Sequence, residues 1–191
     1  MKNLPNVLTL SRIFLTFIFI FLIFKSTLIS IILAAVIFTI ATLTDYYDGA
    51  LAKKYKVTSN FGKIMDPIAD KFLILAAFFV FAKMNFFSSW IFLLILFREF
   101  FITGLRFIAM SKGKILAAEK AGKIKTVAQF TAISVILLFM LFSKTHFSYS
   151  WTSDTYIIWD WFLNVMMVVV ILLTYYSGIS YYWHNREAFR L

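Results

Sequence analysis

Four aspartates in a short stretch of the sequence are the strongest candidates for a chemical role. Asp45 and Asp48 stand near the end of one apolar segment, and Asp66 and Asp70 stand near the beginning of the next. With about 100° of rotation per residue, each pair falls on one face of a helix. Two helices joined by a short loop can therefore direct all four carboxylates into one space.

Four carboxylates in one space repel each other unless positive charge lies between them, and carboxylates within membrane segments are costly and usually functional. Oxygen ligands without histidine or cysteine suit Mg²⁺, Mn²⁺ or Ca²⁺ rather than zinc or copper. We therefore expect two divalent cations, because a pair about 3.5–4 Å apart is suited to displacement at phosphorus. The residues alone leave three alternatives open, namely solvated or capped helix ends, salt bridges to nearby lysines, and an ion or proton pathway.

Small and basic residues around the aspartates fit a substrate that contains phosphate. Gly49 and Gly62 have no side chains, which allows a phosphate or a sugar to approach the backbone closely. Lys53 supplies a positive charge that can screen a diphosphate.

The composition predicts an integral membrane protein. The 191 residues are 62% hydrophobic and 15% charged, and the mean hydropathy is +0.86, whereas a soluble domain is about 45–50% apolar. The formal net charge of +10 lies at the ends of apolar runs. This pattern is typical of membrane orientation and anionic head groups and does not indicate a nucleic-acid-binding face. The absence of cysteine excludes disulfides, thiolate catalysis and cysteine-ligated zinc.

Six apolar segments predict an all-α protein with six transmembrane helices and one domain over residues 1–191. The segments cover approximately residues 7–24, 27–44, 62–82, 88–110, 127–142 and 156–182. We expect a basic loop from Lys53 to Asn60 and a basic connection from Ser111 to Thr126. No small-residue cleavage site follows the first segment, so we expect that segment to be retained.

The distribution of basic residues predicts the orientation in the membrane. With an even number of spans, both termini lie on one side, and most lysines and arginines fall on that side. The opposite loops hold Lys25, Lys83 and Lys144. The termini and the acidic stretch are therefore expected at the cytoplasmic face. Aromatic residues near the ends of the last segment, such as Trp151 and Tyr181, are expected to form interfacial belts.

The acidic stretch resembles the signature of the CDP-alcohol phosphotransferase family, which would cover residues 45–70. The pattern is D-x2-D-G-x2-A-K-x8-G-x3-D-x3-D, and its fixed positions are Asp45, Asp48, Gly49, Ala52, Gly62, Asp66 and Asp70. Members are integral membrane enzymes that transfer a substituted phosphate from a CDP-linked donor to an alcohol and release CMP. One position departs from the family, because Lys53 stands where arginine is usual, and lysine lacks the bidentate fork.

The resemblance implies a role for each residue of the signature. The aspartates would be metal ligands, and Asp70 would also be the general base that takes the proton of the acceptor hydroxyl. The resulting oxygen would attack the β-phosphorus of the donor, and CMP would leave. The CDP group would lie against Gly49, Ala52, Lys53 and Gly62. Family members are commonly homodimers, so a homodimer is also implied.

Three further stretches resemble one branch of this family, the bacterial phosphatidylglycerophosphate synthases. They are N-L-P-N-V-L-T-L-S-R at 3–12, R-E-F-F-I-T-G-L-R at 98–106 and G-K-I-K-T-V-A-Q at 122–129. The branch implies CDP-diacylglycerol as donor, glycerol 3-phosphate as acceptor, and a place in the bacterial plasma membrane with the active site facing the cytoplasm. Asn3 and Thr9 are expected either to contact the cytidine or to cap the first span.

Basic residues in two of these stretches suit the dianionic phosphate of such an acceptor. Arg98 and Arg106 are eight residues apart and so share one helical face. Lys123 and Lys125 precede the fifth segment on the same side of the membrane. Arginine forks bind phosphate well. Two alternatives stay open: the lysines only set the topology, or the arginines are buried partners of Glu99 or of a carbonyl.

Other functions remain possible from the sequence alone. A family member could use phosphatidylglycerol as acceptor, as a cardiolipin synthase does, or an inositol phosphate. Outside the family, the acids could serve a small ion or proton transporter, and a purely structural membrane protein is a further alternative. The last two apolar segments carry no motif to which we assign a role.

Overall fold

The computed structural model describes the backbone of residues 4–55, 60–111, 120–145 and 151–189. Side chains are described for residues 11–43, 71–111, 121–145 and 151–186. Within these ranges all regular structure is helical, as the sequence predicted. The helices are α1 (Leu4–Lys25), α2 (Leu28–Tyr55), α3 (Asn60–Lys83), α4 (Ser89–Ser111), α5 (Lys120–Ser143) and α6 (Ser153–Phe189).

Within the part of the chain that the structure describes, two stretches of helix are long and apolar enough to cross a membrane, Ala121–Ser143 in α5 and Ser153–Arg186 in α6. Large apolar side chains are also exposed on other helices, for example Phe14 at 66% and Phe97 at 66%. Exposing so much apolar surface to water is unfavourable, so contact with lipid is its physical explanation. The count of six membrane spans and the cytoplasmic termini remain predictions.

The chain divides into two compact units, and the prediction of one domain over residues 1–191 remains a prediction. The first unit comprises Met1–Val80 with Leu137–Ser150, and the second comprises Phe81–Ile136 with Trp151–Leu191. In the first unit, α1 packs against α2 through Phe19 and Phe38, whose ring centroids are 5.9 Å apart. Phe17 of α1 and Phe72 of α3 are also 5.9 Å apart.

A short link between α1 and α2 explains why these two helices pack side by side. Ser26 has a φ of 52°, so α1 ends in the left-handed conformation that commonly terminates helices. The backbone N–H of Thr27 then donates to Ser30 Oγ over 3.0 Å. The N–H of Ser30 donates to Thr27 Oγ1 over 3.2 Å. These reciprocal bonds satisfy N–H groups at the start of α2.

In the second unit, α3 ends in a Schellman motif and α4 follows after a short turn. Asn85 has a φ of 62°, and the N–H of Phe86 donates to the carbonyl of Phe81 over 3.0 Å. The rings of these two phenylalanines lie 5.9 Å apart edge to face, the apolar contact that often accompanies this motif. Ser88 then precedes the first turn of α4, where its carbonyl accepts from the N–H of Ile91 over 2.9 Å.

Two of the predicted connections between helices are shorter than expected. The expected loop from Lys53 to Asn60 is shorter, because α2 continues to Tyr55 and α3 begins at Asn60. The expected connection from Ser111 to Thr126 is also shorter, because α5 begins at Lys120. The residues added to α2 and α5 include several lysines but no proline, so polar composition alone did not end the helix.

Candidate functional site

The second unit contains a buried cluster of charged side chains from two helices. Arg98 and Glu99 lie on α4, and Lys125 lies on α5. Their exposed fractions are 7%, 3% and 7%. The Nη1 group of Arg98 donates to Glu99 Oε1 over 3.1 Å, and the Nζ group of Lys125 donates to the same oxygen. One carboxylate oxygen therefore joins two cations that are 27 residues apart in the sequence.

Burial gives this cluster its electrostatic character. Taking charged groups out of water is expensive unless each is paired and hydrogen-bonded. Here Glu99 supplies one negative charge, whereas Arg98 and Lys125 supply two positive charges, so the three groups together carry a formal charge of +1. A buried cluster with a net positive charge is chemically suited to bind an anion.

A third helix, α6, contacts the guanidinium of Arg98. The Nη2 group of Arg98 donates to Ser177 Oγ over 2.8 Å, and Ser177 is only 2% exposed. Gly178 follows directly, and a Cβ atom placed there would lie 3.1 Å from Arg98 Nε. The side chain of Arg98 is therefore enclosed by its own helix neighbour and by the backbone of α6.

The second arginine of α4 lies against the same helix but in a more open environment. Arg106 is exposed, and its guanidinium carbon lies 5.2 Å from the ring centroid of Tyr181. Tyr181 is 3% exposed, so the prediction that it belongs to an interfacial belt was wrong, because its ring packs against an arginine of the same unit. Lys123 on α5 is also exposed.

These contacts show how α4 and α6 are arranged. The hydroxyl of Tyr175 donates to the carbonyl of Leu94 over 3.3 Å. Further along both helices, Ser177 contacts Arg98 and Tyr181 contacts Arg106. Residue numbers rise together on the two helices, so α4 and α6 run in the same direction. Both arginines of α4 consequently face α6.

The predicted metal and nucleotide ligands lie outside the described side chains. Asp45 and Asp48 lie on α2, and Asp66 and Asp70 lie on α3. The side chains of these aspartates are not among those described. The same holds for the predicted nucleotide ligands Thr9, Gly49, Ala52, Lys53 and Gly62. Asn3 lies outside the described residues altogether. Among the described side chains, no group of three or more potential ligands occurs. The two-cation site remains a prediction.

The sequence interpretation missed the contribution of α6. Thr174, Ser177, Gly178 and Tyr181 have the spacing i, i+3, i+4, i+7, which places them on one face of the helix. All four are buried, although the helix around them is strongly apolar. A stripe of small and polar residues in an apolar span was the signal that could have found them.

Comparisons with known proteins connect this chain to a family. Residues 2–176 match the family described as CDP-alcohol phosphatidyltransferase. A Bacillus subtilis protein named CDP-diacylglycerol--glycerol-3-phosphate 3-phosphatidyltransferase is 34% identical over 203 residues, covering 100% of this chain and 98% of the relative. A Rickettsia typhi protein of the same name is 40% identical over 139 residues, covering 72% of this chain and 78% of the relative. A Mycobacterium tuberculosis protein named probable phosphatidylglycerophosphate synthase is 33% identical over 182 residues, covering 94% of this chain and 79% of the relative.

Proposed function

The chain belongs to the CDP-alcohol phosphatidyltransferase family, and from this membership we propose that it is an enzyme of phospholipid synthesis. It transfers the phosphatidyl group of CDP-diacylglycerol to sn-glycerol 3-phosphate and gives phosphatidylglycerophosphate and CMP. The observation that carries the proposal is the similarity to the Bacillus subtilis protein over the whole of this chain. Its apolar helices and its family together make the chain a membrane protein.

The basic residues of α4 and α5 bind the phosphate of glycerol 3-phosphate in this proposal. Arg98 and Lys125 are buried and both donate to one carboxylate oxygen of Glu99. Their combined positive charge exceeds the negative charge of Glu99. Arg106 and Lys123 are exposed, so they are accessible to a water-soluble acceptor. Pairing with Glu99, which the sequence left open as an alternative role for Arg98, holds the guanidinium in place and is compatible with further hydrogen bonds, because a guanidinium has five N–H donors.

The aspartates of α2 and α3 perform the transfer. Asp45, Asp48, Asp66 and Asp70 lie on helices at spacings of three and four residues, and carboxylate oxygens are the donors that Mg²⁺ and Mn²⁺ prefer. When bound, two such cations would neutralise phosphate oxygens and stabilise the departing CMP. Asp70 accepts the proton of the acceptor hydroxyl. The new bond joins that oxygen to the β-phosphorus, and the bond between this phosphorus and CMP breaks.

The nucleotide of the donor is held near the same aspartates. Asn3 and Thr9 contact the cytidine, and Lys53 contacts the diphosphate. Gly49, Ala52 and Gly62 have no bulky side chains that would prevent the donor from approaching the helices.

The lipid donor requires a site at the membrane surface. We propose six membrane spans in the bacterial plasma membrane, with both termini and the active site at the cytoplasmic face. The site opens to the cytoplasm for the acceptor and laterally to the inner leaflet for CDP-diacylglycerol. The protein acts as a homodimer.

An acceptor panel tests the proposed reaction. The purified protein is incubated with CDP-diacylglycerol, Mg²⁺ or Mn²⁺, and one acceptor at a time, namely glycerol 3-phosphate, phosphatidylglycerol or inositol 1-phosphate. CMP and the lipid product are then quantified by mass spectrometry. We expect CMP and phosphatidylglycerophosphate with glycerol 3-phosphate. CMP release with another acceptor but not with glycerol 3-phosphate would reject the proposed acceptor, and ion flux in liposomes without CMP release would support a transporter.

A further inference from the structure

We propose that Ser177 and Gly178 of α6 are positioning residues that orient Arg98 for the phosphate of the acceptor. This inference rests on the proposed function, because it takes Arg98 as a ligand of that phosphate. Ser177 and Gly178 make no contact with the substrates in this proposal and act through the guanidinium. The inference assigns a role to α6, a helix in which the sequence analysis found no functional motif.

The first observation is the two-sided hydrogen bonding of the guanidinium. Glu99 Oε1 accepts from Nη1 over 3.1 Å, and Ser177 Oγ accepts from Nη2 over 2.8 Å. Two partners on different nitrogens of a planar group fix both its position and the direction of its plane. Without the Ser177 hydroxyl, the Nη2 group of Arg98 loses this acceptor. The guanidinium can then rotate about its hydrogen bond to Glu99.

The second observation is the close approach of α6 at Gly178. A Cβ atom there would lie 3.1 Å from Arg98 Nε and 3.5 Å from its Cγ, and the first distance is shorter than ordinary van der Waals contact. Any residue with a Cβ atom at this position would therefore require the side chain of Arg98 to shift by a few tenths of an ångström. Gly104 on α4 differs, because a Cβ atom there meets nothing within 4 Å.

A third observation concerns the other arginine of α4. Tyr181, one helical turn beyond Ser177, places its ring 5.2 Å from the guanidinium carbon of Arg106. One face of α6 thus contacts both arginines that are proposed to bind the acceptor. A binding site needs its ligating groups held within about 0.5 Å of the productive geometry by neighbouring residues, and this face of α6 supplies such neighbours.

Separate KM values for the two substrates test the inference. We expect Ser177→Ala and Gly178→Ala each to raise the KM for glycerol 3-phosphate by about tenfold, the size expected when a hydrogen bond to a charged group is lost or distorted. The KM for CDP-diacylglycerol should stay within about twofold of wild type, since only the acceptor site is affected. Gly104→Ala is the matched control, and it should change neither value.

Gly178→Ala separates positioning from a merely structural role. A Cβ atom at this position would crowd the side chain of Arg98 at 3.1 Å, so a merely structural role for this glycine predicts a lower Tm together with an unchanged KM. Positioning predicts a raised KM for the acceptor in a protein whose Tm is retained. An unchanged KM in both Ser177→Ala and Gly178→Ala would overturn the inference.

A double-mutant cycle with Arg98→Lys tests whether Ser177 acts through the arginine. Arg98→Lys alone should raise the KM for glycerol 3-phosphate, and Ser177→Ala should add little in that background. Independent, multiplicative effects would overturn the inference while leaving the proposed function in place. If Arg98→Lys itself leaves the KM unchanged, the assignment of Arg98 to the acceptor site is wrong, and the inference fails with it.

Discussion

Arg98 on α4 and Lys125 on α5 donate hydrogen bonds to the same atom, Oε1 of Glu99. All three residues are more than nine-tenths buried. The shared oxygen connects two helices of the second unit and holds two positive charges beside each other. Such an arrangement is stable only while the carboxylate between the cations is ionised.

Replacing Glu99 should destabilise the protein markedly. Glu99→Gln keeps the shape of the side chain but leaves two buried cations without this carboxylate, and breaking a buried ion pair costs about 3–5 kcal/mol. We expect a lower Tm in thermal unfolding followed by tryptophan fluorescence in detergent. Asp160→Asn is the matched control, because it removes a carboxylate from an exposed position of α6. Equal Tm values for wild type and Glu99→Gln would show that the shared oxygen does not stabilise the fold.

Removing the exposed basic residues should weaken binding of the acceptor without unfolding the protein. We expect Arg106→Ala and Lys123→Ala each to raise the KM for glycerol 3-phosphate by about three- to tenfold, because each removes a positive charge that the phosphate dianion would meet. The Tm should change little, since both residues are exposed. Steady-state kinetics with each substrate varied in turn measure the effect.

The control for this pair is Lys83→Ala, which removes an exposed lysine from the last turn of α3. Its KM for glycerol 3-phosphate should equal that of wild type, because Lys83 is predicted to lie on the opposite side of the membrane. Unchanged KM values in both Arg106→Ala and Lys123→Ala would contradict their assignment to the acceptor site.

The acidic stretch should be required for turnover. Asn substitution of Asp45, Asp48, Asp66 or Asp70 keeps the size of the side chain and removes its charge, so each should lower kcat by about 100-fold or more. A chelator should abolish CMP release in the wild type, and added Mg²⁺ or Mn²⁺ should restore it. Asp154→Asn, in the first turn of α6, serves as the control and should stay active. Activity that survives chelation and all four substitutions would reject the two-cation proposal.

The proposed topology can be tested with single cysteines, because the chain contains none. Asn85→Cys, in the turn between α3 and α4, should react with a membrane-impermeant maleimide in intact cells. Ser111→Cys, at the end of α4, should react only after the membrane is permeabilised. Both variants should retain CMP release, which shows that the labelled protein is folded. Labelling of Ser111→Cys in intact cells would contradict cytoplasmic placement of this side.

The all-helical fold and the family both followed from the amino-acid sequence alone. Long apolar runs predict helices because backbone groups among apolar surroundings must bond within their own segment, and the six runs correspond to α1 to α6. The spacing of the aspartates and of Arg98 and Arg106 followed from the helical repeat. The signature from Asp45 to Asp70 indicated the family, since it consists of residue types at fixed local distances.

The contacts between side chains of different helices depend on how the helices pack, and the sequence did not predict them. The pairing of Arg98 with Ser177 joins residues 79 positions apart, and no local pattern encodes a contact at that separation. Tyr181 was expected at the membrane interface from its position in the segment. Its side chain is instead buried within the second unit, where its ring packs against the guanidinium of Arg106. Helical periodicity shows which residues share a face, whereas the partner of that face depends on how whole helices pack.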